Sequence, residues 1–428
     1  MSTIKTLRTD VAIVGGGIVG SSAALALRQM GIGVALLERD LCGSRSSGVN
    51  FGGVRRQGRQ LSQLPLAQRA HRIWGGLSSL LDTDGEYVRS GHFKIARSES
   101  DMASLENYRT KSLDFDLGLE LISDARLRER CPWLGARAVG GSLCVEDGQA
   151  NPRLVSPAFA LAARRAGAQV FERHAVDEVA HDGAMFMLRS GNALEVHAPV
   201  LLNCAGAWSG PIATQFDEAV PLRSGNPVMV VTEPMPHFMD WSLGVEGGGI
   251  YGRQVARGNL VLGGGVGIAV DADRARVGSD AIATLAAQAI ELLPALRHAH
   301  FIRTWSGTEG YLPDRQPVLG PSRTTPGLFH GFGFSGAGSR SVRLPAKCWP
   351  SSCAMGTAAR RSTPSRSTAS SQKHKPSRPP PPPERKTPCP VFRRPSSPFA
   401  GPCSGRRRFP CWWLAARPAH RPRRSTSA

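Results

Sequence analysis

Gly15, Gly17 and Gly20 stand at the spacing G-x-G-x-x-G, and Glu38 follows 21 residues after Gly17. Those residue types suit a dinucleotide. The first glycine permits a tight turn, the second lets the backbone approach a pyrophosphate, and the third packs a helix on a strand. A helix opening here would face phosphates with unpaired amides and the positive end of its dipole. An acid at the end of the following strand accepts hydrogen bonds from a ribose.

Such groups act only if regular elements hold them, and the flanking sequence supplies those elements. Residues 11–14 are a short apolar run suited to a buried parallel strand. Residues 18–30 have helical composition and Gly31 ends them; residues 33–37 are a second apolar run ending at Glu38. This is one βαβ unit. Later, Asn151-Pro152 opens an Ala-rich helix over 154–166, residues 168–171 form a strand, and residues 199–203 form a buried strand. Strand alternation recurs at 91–95, 226–232 and 259–263. The expected fold class is α/β: a Rossmann-like nucleotide domain with a discontinuous α+β second domain.

The formal net charge of +20 is unevenly placed. Twenty of the 53 Lys+Arg residues and one of the 33 acidic residues lie beyond Gly338, so the preceding part carries 33 basic against 32 acidic residues. A basic body that would engage nucleic acid or a membrane surface is thereby excluded. No run approaches the roughly 18 apolar residues of a membrane span. Residues 11–14 are too short for a secretory core and run into glycines. Five of nine cysteines lie beyond Gly338, and Cys42, Cys131, Cys144 and Cys204 show neither metal spacing nor a disulfide rhythm. A soluble, cytoplasmic body without a metal site is expected.

Four further motifs narrow the ligand. Ser46-Ser-Gly-Val-Asn-Phe-Gly-Gly-Val-Arg-Arg56 comes first, then Asn203-Cys-Ala-Gly-Ala-Trp208. Trp305-Ser-Gly-Thr-Glu-Gly-Tyr-Leu-Pro-Asp314 with Pro317-Val-Leu-Gly320 is third, and Gly331-Phe-Gly-Phe-Ser-Gly-Ala-Gly338 is last. In composition and order they resemble motifs of the flavin amine oxidoreductases related to D-amino-acid oxidase, glycine oxidase and sarcosine oxidase, over residues 10–338. The resemblance implies an FAD domain of the two-dinucleotide-binding, glutathione-reductase type. It divides the chain into FAD-binding segments at 1–80, 151–220 and 301–338, substrate-domain segments at 81–150 and 221–300, and a disordered basic tail at 339–428. It sets FAD against Gly15, Gly17, Ile18, Val19, Gly20, Glu38 and Arg39, then Ser46, Ser47, Gly48, Gly52 and Gly53. Val176, Ala205, Gly206 and Trp208 follow, and then Gly333, Ser335, Gly336 and Gly338.

The activity implied is oxidation of an amine or amino acid at the carbon next to nitrogen, with hydride passing to the flavin and the imine product hydrolysing to a carbonyl. A guanidinium is the natural holder of a substrate carboxylate because it binds bidentately. Arg55, Arg253 and Arg303 are the candidates, and Tyr251 is a candidate to close the pocket. Cys42, near the flavin segment, reads as a small packed residue. Two departures stand out. The loop 308–312 lacks the arginine that glycine oxidases carry after Trp-x-Gly, and the body has only Lys5, Lys94 and Lys111, with no counterpart expected for an oxygen-activating lysine. The expectation therefore leans to a dehydrogenase, including a β-type component of a multi-subunit opine, sarcosine or proline-type enzyme.

Beyond Gly338 the pattern breaks. Seventeen of the 32 prolines lie there and no apolar period survives. The family's helix after the glycine turn is missing. A one-base shift of reading frame near 338–340 permits Leu-Gly-Pro-Ala-Ala-Gly-Glu-Val-Leu-Ala-Glu-Leu, which resembles that helix. The expectation is an out-of-frame tail. The alternatives are a genuine basic extension whose Trp412-Trp413 stacks on nucleic-acid bases, and an inactive product.

Overall fold

Alternate residues of the apolar runs face opposite layers. In the computed structural model, which describes residues 4–336, Val11, Ile13, Val34 and Leu36 pack toward helices, while Ala12, Val14, Ala35 and Leu37 pack toward a second sheet. This is the period of two expected of strands buried on both faces. The central sheet has six strands in the order Val318–Pro321, Leu328–Phe332, Val200–Asn203, Val11–Val14, Val34–Glu38, Gln169–Glu172. Its pairings are parallel except for that between the first two.

Helices Ile18–Gln29 and Pro152–Arg165 cover one face and contact each other. Pro152 opens the second helix at a position that needs no N–H, and the Asn151 side chain accepts from Arg153 N at 3.1 Å. The other face carries a four-stranded sheet, ordered Lys5–Arg8, Leu194–Ala198, Phe186–Ser190, Glu178–His181. Phe186, Leu188 and Val196 are fully buried between the two sheets. Sequence reading did not separate this layer.

The remaining large sheet has eight strands, in the order Phe301–Ser306, Pro227–Pro234, Asn259–Val266, Ile250–Gln254, Ser242–Val245, His92–Ala96, Gly140–Cys144, Leu119–Ser123. Helix Ser279–Leu292 packs on it through Leu285, Ala289 and Leu292. Ser242–Val245 runs parallel to His92–Ala96, which joins segments about 150 residues apart in the chain. Strand Phe301–Ser306 pairs with Pro227–Pro234, so the boundary read at 301 falls at the start of a strand of this sheet. Among the described residues no helix is long and apolar enough to cross a membrane. Cys42, Cys131, Cys144 and Cys204 are buried free thiols. The expected disordered, out-of-frame tail, and Gly338 with it, lie outside the described residues.

Candidate active site

The turn after strand Val11–Val14 brings two chain segments against each other. Gly15 has φ +103°, and a Cβ there would lie 2.4 Å from the Cys204 carbonyl oxygen. Only glycine tolerates both conditions. A Cβ at Gly20 would lie 2.0 Å from the Gly15 carbonyl oxygen, so Gly20 serves helix–strand packing and does not border the cavity. Helix Ile18–Gln29 then starts at Gly17 without a side-chain cap. Its Ile18 amide donates to Ser47 Oγ at 3.0 Å, and Gly17, Ile18 and Val19 border a cavity of about 750 Å3. The first-turn amides of a helix have no intrahelical acceptor, which makes this wall receptive to phosphate.

Glu38 ends the neighbouring strand with its side chain nearly buried. Oε2 accepts from Gly16 N at 2.7 Å and Oε1 from Asp40 N at 2.9 Å. Each oxygen accepts only one of these bonds, and Glu38 borders the cavity. Arg39 lies over the Trp208 ring at 4.0 Å, with Nη1 on Asp273 at 2.8 Å. Its Nη2 is a buried donor with no partner among the described residues. A long cavity with an amide-lined turn, a buried acid and an orphaned guanidinium donor is what an adenosine pyrophosphate requires, so these residues fit FAD. Ser46, Ser47, Gly52, Gly53, Val176, Ala205, Gly206 and Trp208 also border it. Gly48 does not: a Cβ there would meet the Gly43 carbonyl oxygen at 2.0 Å, so this glycine serves loop packing.

Arg55 borders the other end of the cavity on a pinned loop. The fully buried Asp147 accepts from Arg56 N and from Gln57 N, each at 2.9 Å, and pairs with Arg56 Nε at 3.3 Å. Gln57 is anchored in turn to the His92 and Ser142 carbonyls. Arg55 Nη1 donates to the Gln57 carbonyl at 2.7 Å, and its other nitrogens have no hydrogen-bond partner among the described residues. Burial lowers its proton affinity, a cost partly offset by Asp147.

The other two arginines are placed differently. Arg253 does not border the cavity: Nε donates to the Phe51 carbonyl at 2.7 Å, behind the Phe51–Gly52 segment that does. Burial brings its pKa down to about 10. Tyr251, two residues back on the same strand, borders the cavity and packs edge-on against Phe51 at 5.1 Å. Arg303 is exposed on the edge strand Phe301–Ser306. Cys42 packs behind Gly16, its thiol pushed up to about 12 by burial and by Glu172.

Among the cavity residues that sequence reading did not find are His92, Lys94, Glu309 and Tyr311. His92 and Lys94 project from one face of strand His92–Ala96 while Phe93 and Ile95 enter the core. That alternation was the available signal. Lys94 is thus a cavity lysine after all, ion-paired with Glu246. His92 is held well below its usual pKa by burial and by Arg55, Lys94 and Arg59. Glu309 and Tyr311, in the loop noted only for its missing arginine, also reach the cavity, and Tyr311 Oη donates to Glu309 Oε2 at 2.8 Å. Gly333, Ser335 and Gly336 line the same end, with φ of +73°, +50° and +74°.

Residues 10–344 match the family described as FAD dependent oxidoreductase (DAO). The chain belongs to this family. FAD is therefore the cofactor that the cavity takes. Within known proteins the chain is 27% identical to the B-type component of opine oxidase from Rhizobium meliloti over 334 residues, 75% of this chain and 87% of that one. It is 28% identical to glycine oxidase of Geobacillus kaustophilus over 335 residues, 76% of this chain and 87% of that one. The crystal structure of the Geobacillus kaustophilus glycine oxidase superposes with a TM-score of 0.75 at 22% identity, covering 81% of this chain and 95% of that one. An L-proline dehydrogenase from P. horikoshii gives 0.73 at 21% identity, covering 79% and 91%. These superpositions agree with the mixed α/β, FAD-binding fold.

Proposed function

We propose that the protein oxidises an amino acid or secondary amine at the carbon next to nitrogen, with the substrate carboxylate held by Arg55. The observation that carries this is the Arg55 guanidinium: one nitrogen donates to its own loop, the other side-chain nitrogens have no hydrogen-bond partner among the described residues, and the residue lines the cavity from a backbone held by Asp147. Such a rigid fork matches a carboxylate and loses little freedom on binding it. When bound, FAD supplies the two-electron acceptor for the hydride that leaves the carbon. The chain holds and shields the substrate. Tyr251 and Met229, which touch each other, give the same cavity bulky walls that limit water. Gly17 to Val19 hold the pyrophosphate, Glu38 the ribose, and Arg39 with Trp208 the adenosine end. Arg253 is a positioning residue that fixes the Phe51 carbonyl.

The likeness to one component of an opine oxidase supports a second reading, in which the chain is the flavin-carrying part of a larger dehydrogenase. One experiment addresses both. The FAD-loaded protein is given a panel of amino acids and N-alkyl amino acids under oxygen and, separately, with an artificial acceptor. Turnover of at least one amine supports the proposal, and turnover with the artificial acceptor alone selects the dehydrogenase. A loaded flavin that no amine turns over in either condition overturns it.

A further inference from the structure

We propose that Glu309 binds the substrate's amine and takes a proton from it, so that the cavity grips an amino acid by both charges, carboxylate on Arg55 and ammonium on Glu309. This rests on the amine reading above. Glu309 lies on strand Glu309–Tyr311, paired antiparallel with Arg223–Gly225. Residues two apart share a face of a strand, which turns Glu309 and Tyr311 together to the cavity. Tyr311 Oη occupies Glu309 Oε2. Oε1 has no hydrogen-bond partner, and the carboxyl has no ion pair, among the described residues.

A Cβ at Gly336 would lie 3.6 Å from Glu309 Oε2, so the carboxyl sits against the glycine turn of residues 333–336. Tyr251 and Arg55 line the same cavity as Glu309. A half-buried carboxylate with a single hydrogen bond and no ion pair is costly to keep charged, and burial raises its affinity for a proton. A cationic amine is the ligand that relieves the cost.

The proton transfer balances without further reagents, and the hydride lost after it goes to the FAD acceptor of the reaction proposed above. An N–H bond of the ammonium breaks, the proton bonds to Glu309 Oε1, and the pair that held it becomes the nitrogen lone pair. Glu309 becomes a neutral acid. Hydride can then leave the neighbouring carbon, because the lone pair fills the electron deficit as the C=N bond forms. Tyr311, donating to Oε2, keeps Oε1 as the receiving atom.

The test compares two shape-matched ligands that cannot be oxidised: 2-aminoisobutyrate, which carries the ammonium, and pivalate, which has a methyl in its place. Binding to FAD-loaded protein is followed by calorimetry and by perturbation of the flavin visible band. Glu309→Gln, nearly isosteric, is expected to weaken 2-aminoisobutyrate by about tenfold or more, the scale of a charged hydrogen bond, and to leave pivalate within about twofold. Arg55→Met is expected to weaken both. Equal loss of both ligands in Glu309→Gln, or loss of neither, overturns the assignment while leaving the amine reading standing. A wild-type protein that binds pivalate and 2-aminoisobutyrate equally also overturns the assignment alone. One that binds neither and oxidises no amine overturns both.

Discussion

At the Gly15–Gly20 end of the cavity the groups offered to a ligand are mostly backbone amides; at the Arg55–Glu309 end they are side chains. The glycine turn and the acid of the first end, Gly15 to Glu38, come from one βαβ unit and lie fewer than 30 positions apart, and Trp208 joins them from a distant segment. The second draws on the Arg55 loop, on strands His92–Ala96 and Ile250–Gln254, and on Glu309–Tyr311, brought together by the pairing order of distant segments. Backbone sites tolerate changes of neighbouring side chains but not of conformation. Side-chain sites behave the opposite way. Substitutions at the two ends should therefore fail differently.

The largest effect is expected at Gly15. Gly15→Ala places a Cβ 2.4 Å from the Cys204 carbonyl at φ +103°. Strain and overpacking together should cost about 2–6 kcal/mol, seen as a lower melting temperature and loss of bound flavin. Gly17→Ala sharpens the contrast. At φ −67° the backbone accepts alanine, and the nearest atom to its Cβ is Ser47 Oγ at 3.0 Å. It should keep the fold and lose flavin affinity. Equal melting temperatures for the two variants would show that the turn is not built as described.

Arg253→Met is expected to act on stability more than on ligands. It leaves the Phe51 carbonyl without its donor, a loss of about 1–3 kcal/mol by chemical denaturation. Pivalate affinity should stay close to wild type. If pivalate binding collapses while stability holds, Arg253 and not Arg55 is the carboxylate holder.

A smaller effect concerns pH. His92 is buried with a pKa well below 6.5, so the folded protein keeps it neutral while the unfolded chain takes up a proton near 6.5. Stability is therefore full above that value and declines as pH falls below it, by up to about 1.4 kcal/mol per pH unit per such group until the folded pKa is reached. His71, also lowered by burial, contributes in the same sense. His92→Asn should make the decline between about pH 6.5 and 5.5 shallower. An unchanged slope would mean that His92 is not held neutral.

The same contrast explains what could be read from the residues alone. The Gly15–Glu38 unit was legible because each residue there answers to a local rule of turn, strand or helix start. The place of Arg55 on the cavity was legible through the Gly52-Gly53 motif that precedes it. Arg253 misled, since its strand alternation matches that of Tyr251 and only the Phe51 carbonyl shows why it stops short of the cavity. Glu309 was read as the absence of an arginine, because the role of a lone carboxyl depends on a fold that leaves its Oε1 unpaired. His92 and Lys94 needed the parallel pairing with Ser242–Val245 to become neighbours of the site.

The most direct measurement is anaerobic mixing of the FAD-loaded protein with an amino acid that it oxidises and with that amino acid's methyl ester, in wild type and Arg55→Met. The expected result is bleaching of the flavin visible band by the acid, slowed by roughly 10- to 150-fold in Arg55→Met, with the ester rate little changed. Flavin that no amine bleaches, or acid and ester rates that Arg55→Met leaves equal to wild type, would contradict it.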